Sequence, residues 1–154
     1  MRVLIATDGS DIAIHAARQG LGVLAAPTEI TLVCVLTSVP GDEAGGFEGP
    51  VETPEEMERE WAEERSDAEA ALERTAAALE MPSPVGRRVE IGDAGAAIVA
   101  VAEAMDTDVI VVGSHGRGLL GRIVHLGSVS DHVVRHAPCP VLVVRATEDK
   151  PAEG

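Results

Sequence analysis

Five short apolar runs set the terms for this chain: VLIAT (3–7), ITLVCVL (30–36), RRVEI (87–91), DVIVVG (108–113) and PVLVVR (140–145). Three of them are continuous rather than alternating, which is the pattern of strands covered on both faces. Stretches with helical periodicity and helix-start signals lie between the runs. Ser10 can cap a first helix reaching about Leu24. TPEE (53–56) is a strong start, with Thr53 as N-cap, Pro54 at the first helical position and Glu56 placed to close a capping box. That second helix is expected to reach about Glu80, with Met57, Trp61, Ala68, Leu72, Ala76 and Leu79 on one stripe. Asp93 can cap a third helix over 94–105, and a fourth fits 128–136, ended by Ala137-Pro138. Strand and helix therefore alternate to a final strand. This predicts a single open α/β sheet with helices on both faces and right-handed crossovers.

Composition narrows the function. A chain of 154 residues with 45% hydrophobic residues suffices for one domain with a full core. With one Trp, one Phe and no Tyr, that core is built from Val, Ile, Leu and Ala, and a base-stacking platform is excluded. The net charge is −14, of which residues 41–80 carry −11. Such a balance argues against nucleic acid, which requires a basic stripe. Lys150 is the one lysine, and an acidic, Lys-poor surface suits a salt-rich cytoplasm, so a halophilic host is expected. Two distant cysteines, Cys34 and Cys139, read as free thiols. No apolar run approaches the roughly 20 residues of a membrane span, and the first residues do not read as a signal peptide, so a cytoplasmic location is expected. The domain is expected to cover 1–147, with a long Gly-, Pro- and acid-rich loop at about 38–53 and a flexible tail at 148–154.

The candidate chemistry sits in two small loops. In an open α/β sheet, ligands bind beyond the carboxyl ends of the strands at the point where strand order switches. After the first run comes TDGS, with Asp8, Gly9 and Ser10; after the fourth comes GSHG, with Gly113, Ser114, His115 and Gly116. Backbone N–H groups in such turns and at helix starts bind phosphate. GRGLLG (116–121) spells G-x-G-x-x-G, but it follows the fourth strand rather than opening the first βαβ unit, so it is not a dinucleotide fingerprint. With Lys150 the sole lysine there is no P-loop. No carboxylate or base beside His115 would activate Ser114, so a hydrolytic triad is not expected. His132 and His136 stand four apart on a helix but lack a third nearby ligand in sequence, so no metal site is expected.

The combination of VLIATDGS near the start, GDAGAAIVAVAEAMDTDVIVVGSHG through the fourth strand and GSVSDHVVRHAPCPVLVVR towards the end resembles the universal stress protein family over nearly the whole chain. The resemblance implies a five-stranded parallel sheet of order 3-2-1-4-5 and a homodimer formed through the strand at 140–145. It also implies a nucleotide-binding branch, marked by G-x-x-G, nine residues, then G-[ST]. Gly113 and Gly116 supply the first pair and Gly127-Ser128 the second, with ten residues between Gly116 and Gly127, one more than the pattern.

Carried onto this sequence, the resemblance implies that Asp8 contacts the ribose or adenine side, with Ala6 and Thr7 lining that wall. Val35 would offer its backbone to adenine. Val112, Gly113, His115 and Gly116, with Ser114 in the same loop, would wrap the ribose and α-phosphate. Gly127, Ser128, Val129 and Ser130 would meet the outer phosphates, and Arg117 and Arg122 would add charge. The implied ligand is ATP with Mg²⁺, with AMP or another adenine nucleotide as alternatives, and the implied role is stress adaptation. No general base, lysine or arginine finger is evident near the γ-phosphate position, so at most slow hydrolysis is expected. The alternative reading is a dimeric protein-interaction module of the same fold that does not bind nucleotide, and the ten-residue spacing keeps it open.

Overall fold

The computed structural model describes residues 1–27, 29–36, 53–114 and 128–145. Most of the acidic loop expected at 38–53, the segment 115–127 and the tail from 146 lie outside the described residues. The elements alternate as the apolar runs require: β1 (Arg2–Ala6), α1 (Asp11–Val23), β2 (Glu29–Leu36), α2 (Pro54–Leu79), β3 (Gly86–Ile91), α3 (Ala94–Ala104), β4 (Val109–Gly113), α4 (Ser128–His136) and β5 (Val141–Val144). They form one five-stranded sheet in the order β3-β2-β1-β4-β5, and every pairing is parallel.

The helix starts are where their side chains dictate. Ser10 accepts from the backbone N–H of Ala13 at 3.2 Å and begins α1. Asp93 accepts from the N–H of Ala96 at 2.9 Å and begins α3. Thr53 and Glu56 form the reciprocal capping box of α2: the Glu56 N–H donates to Thr53 Oγ1 at 3.3 Å, and the Thr53 N–H donates to Glu56 Oε2 at 2.8 Å. Each cap satisfies N–H groups that the first helical turn cannot.

Strand periodicity divides the core in two. Val3, Ile5, Ile30, Leu32, Cys34, Val109 and Val111 face α1 and α2, packing on Ala16, Ala17, Ala68 and Leu72. Leu4, Val33, Ile110 and Val112 face the other way and pack on Ile98, Val101 and Ala102 of α3 and Val133 of α4. Helix α1 lies so close to β4 that a Cβ placed on Gly20 would stand 2.5 Å from Val111 Cγ1. The stripe expected along α2 holds only in part. Ala68 and Leu72 are buried and Ala76 and Leu79 pack beside them, but Met57 is 36% exposed. Length explains this: 26 residues of helix extend ~39 Å, whereas the eight residues of β2 extend ~26 Å. The first turns of α2 have no sheet beneath them.

The two sheet edges differ in chemistry. On β3, Arg87 pairs with Glu73 of α2 at 2.6 Å and Arg88 pairs with Glu90 at 3.0 Å. On β5, Val141, Leu142 and Val143 are only half-buried.

Candidate functional site

Parallel strands joined by helices send every strand out at one edge, and every following helix begins at that edge. The carboxyl ends of β1 and β4, which are hydrogen-bonded neighbours through Val3–Val109, Leu4–Ile110 and Ile5–Val111, therefore stand beside the first turns of α1 and α4. The chain leaves β1 for the α1 face and leaves β4 for the α4 face. Helices α1 and α4 thus lie on opposite faces of two neighbouring strands, and such a switch is the geometry that opens a binding crevice.

Register places three of the expected residues on one wall. Ala6 pairs with Val33, so Val35 lies two positions beyond the last residue of β1, at the rim. Ala6, Val35 and Val112 all belong to the face covered by α3 and α4. Gly113 ends β4 opposite Val144, and the N–H of Ser114 donates to Val144 O at 2.9 Å, which continues the ladder one residue into the loop. Ser128 and Val129 are exposed at the start of α4, and the side chain of Ser130 is turned into the interior, 2% exposed. The N–H groups of the first turn of α4 have no partners within the helix, and its dipole presents partial positive charge there. His115, Gly116, Arg117, Arg122 and Gly127 lie outside the described residues.

Asp8 is half-buried in the turn between β1 and α1, and its Oδ1 accepts from the N–H of Ser10 at 2.9 Å. The carboxylate thus orders the turn that carries it. Thr7 behaves differently from its neighbour Ala6. Successive side chains of a strand point to opposite faces, and the Thr7 hydroxyl turns toward α2, where it meets Thr75 Oγ1 at 3.0 Å. Thr7 can therefore line the Ala6 wall with its backbone alone. Sequence reasoning missed the contribution of α2: Gly9, with φ of +74°, packs so closely on Ala71 that an added Cβ would meet Ala71 Cβ at 2.5 Å. The available signal was Thr75 itself, a hydroxyl among the alanines and leucines of an otherwise apolar stripe.

Other candidates are ordinary. The His132 and His136 rings stack with centroids 4.2 Å apart, and His136 Nδ1 lies 2.9 Å from His132 O. Among the described residues no group of three or more His, Cys, Asp or Glu could hold a metal ion. Neither Cys34 nor Cys139 is in a disulfide; burial and the Asp108 carboxylate push the Cys139 thiol up. Among the described residues no helix is long and apolar enough to cross a membrane.

The universal stress protein family model matches residues 1–145. A universal stress protein of Methanocaldococcus jannaschii is 32% identical over 146 residues, covering 94% of this chain and 81% of its own. The solved structure of the hypothetical protein MJ0577 superposes with a TM-score of 0.74 at 27% identity, covering 96% of this chain and 97% of its own. A family protein of Arabidopsis thaliana with AMP bound has a TM-score of 0.65 at 21% identity, covering 99% and 97%. Two further structures of this fold contain cAMP, at 22% identity and a TM-score of 0.61, and dAMP, in a protein of Archaeoglobus fulgidus at 18% and 0.54. They cover 96% and 93% of this chain and 98% and 96% of their own.

Proposed function

Because the chain belongs to the universal stress protein family, we propose that it is a cytoplasmic, homodimeric module that binds an adenine nucleotide, ATP with Mg²⁺, in the crevice between the β1 and β4 loops and serves stress adaptation. One observation carries the reading. The Asp8 turn and the Gly113–Ser114 edge end adjacent, hydrogen-bonded strands, and the helices that follow them in the chain, α1 and α4, lie on opposite faces. AMP, cAMP and dAMP in proteins of the same fold support an adenine nucleotide as the ligand class.

The residues present suit such a ligand. Ala6, Val35 and Val112 belong to one apolar face against which an adenine ring could lie. Asp8 offers a carboxylate acceptor for ribose hydroxyls, and the start of α4 offers N–H donors to phosphate oxygens. Mg²⁺ would arrive with the phosphates and neutralise their charge. The two free thiols fit a reducing compartment. The half-buried apolar edge of β5 fits pairing with a second copy.

Calorimetric titration of ATP with Mg²⁺ in molar KCl, where the charge of −14 is screened, tests the reading. The parent should bind, and Asp8→Ala and Gly113→Val should each weaken binding by tenfold or more. A folded parent that gives no heat and carries no ligand absorbing at 260 nm overturns it, and the chain is then a protein-interaction module of this fold.

A further inference from the structure

We propose that Thr75, in the middle of α2, is a positioning residue that sets the Asp8 turn. The inference deepens the nucleotide-binding reading and rests on it only for its consequence in affinity. It stands on a chain of hydrogen bonds whose direction is fixed by elimination. The carbonyl of Ala71 can only accept, so the Thr75 hydroxyl, 2.9 Å away, donates to it. With its own proton committed, Thr75 Oγ1 must accept the contact from Thr7 Oγ1 at 3.0 Å, so the Thr7 hydroxyl is the donor. The Thr7 oxygen in turn accepts from the N–H of Gly9 at 3.1 Å. Every proton in the sequence Gly9, Thr7, Thr75, Ala71 is thereby directed towards α2.

The bonds are sheltered from water. Thr75 is 0% exposed and Thr7 is 7% exposed. In this setting an unmade bond is not replaced by solvent. The turn is held at a second point as well: Arg74 Nη2 reaches Gly9 O at 3.5 Å, and Gly9 sits against Ala71. Asp8 lies between Thr7 and Gly9, the two residues so held, and its carboxylate is fixed to the next N–H along. The position of that carboxylate is therefore set by Ala71, Arg74 and Thr75 of α2, more than sixty residues away in sequence. The hydroxyls of Thr7 and Thr75 do not contact the ligand in this scheme; they act through Asp8.

The test compares Thr75→Val, which swaps the hydroxyl for a methyl of like size, with Thr75→Ser, which keeps the hydroxyl and loses a methyl. Two quantities are read in the full chain: hydrogen exchange of the Gly9 amide without nucleotide, and the Kd for ATP with Mg²⁺. The valine variant should exchange Gly9 about tenfold faster than the parent and bind ATP about tenfold more weakly, the equivalent of one lost buried hydrogen bond. The serine variant should restore both, although it is the more cavity-forming change. Equal Gly9 exchange in the two variants overturns the proposal, whatever their melting temperatures. Restored exchange without restored affinity overturns the link to Asp8. A parent that does not bind ATP overturns the nucleotide reading alone, and the exchange comparison still decides whether Thr75 sets the turn. Thr75→Ala takes the place of the valine variant if that one does not fold.

Discussion

Two glycines on α1, two residues apart, should respond to the same substitution in opposite directions. Gly22 has nothing within 4 Å of where a Cβ would be, whereas a Cβ on Gly20 would stand 2.5 Å from Val111 Cγ1 and 3.4 Å from Val144 Cγ2. In both places alanine removes backbone freedom from the unfolded chain, a gain of about 0.5–1 kcal/mol in a helix. At Gly22 that gain is the whole effect, so Gly22→Ala should stabilise. At Gly20 the methyl enters a packed interface. Val111 is a short β-branched side chain, 1% exposed, on an inner strand. A short, stiff side chain buried this fully has little freedom to give way, and overpacking of this kind costs about 1–3 kcal/mol. The difference between the two variants cancels the propensity gain and isolates that cost. It should appear as about 1–3 kcal/mol in urea unfolding followed by circular dichroism, or about 2–12 °C in Tm for a chain of this size. Adding Val111→Ala to Gly20→Ala should recover part of the loss, because the new methyl occupies the space the valine vacates. Equal shifts in the two glycine variants would refute the close approach of α1 to the sheet.

Three further outcomes follow from the side chains. Iodoacetamide should modify Cys139 more slowly than a free thiol at pH 8, with the rate still climbing past the ordinary thiol value of 9.0, because burial and Asp108 disfavour the thiolate; a rate equal to that of a free thiol contradicts this. Thr53 holds the Glu56 carboxyl below its ordinary 4.5, through the backbone bond first and the hydroxyl second. A depressed carboxylate contributes stability above its unfolded pKa and loses it as pH falls through the folded one. Ellipticity from α2 should therefore decline below about pH 4.5 in the parent and change less in Glu56→Gln, and identical profiles would exclude the capping box as the cause. Finally, the charge of −14 predicts that Tm rises as KCl goes from 0.1 to 2 M, and a Tm independent of salt counts against a salt-adapted surface.

The fold was almost wholly legible because its signals are local and agree with one another. Ser10, Thr53 and Asp93 are each followed by a helix that starts at the next residue, and each apolar run became a strand within a residue or two of its bounds. The partition of the core also follows from counting by twos along β1 and β4. What could not be read was distance in space. Ala6 and Thr7 are neighbours in sequence, and parity alone sends the hydroxyl of Thr7 away from the Ala6 wall. Nothing within ten residues of Thr7 indicates that its partner is Thr75. The overreach of α2 past the sheet was invisible for a similar reason: Met57 and Trp61 continue an apolar stripe whose partner surface has already ended. The loop residues His115, Gly116, Arg117 and Gly127 have roles that only the family resemblance supplies.

The unequal edges of the sheet have a consequence for stoichiometry. The β3 side carries ion pairs between Arg87 and Glu73 and between Arg88 and Glu90 beside the exposed Ile91, whereas the β5 side is a row of half-buried apolar side chains. In the proposed dimer each chain would associate through that β5 edge. A second copy meeting β5 with its own β5 would cover that edge in both molecules and leave the two ion-paired β3 strands outermost. Further growth of the ribbon would then have to start on strands whose arginines already hold glutamate partners.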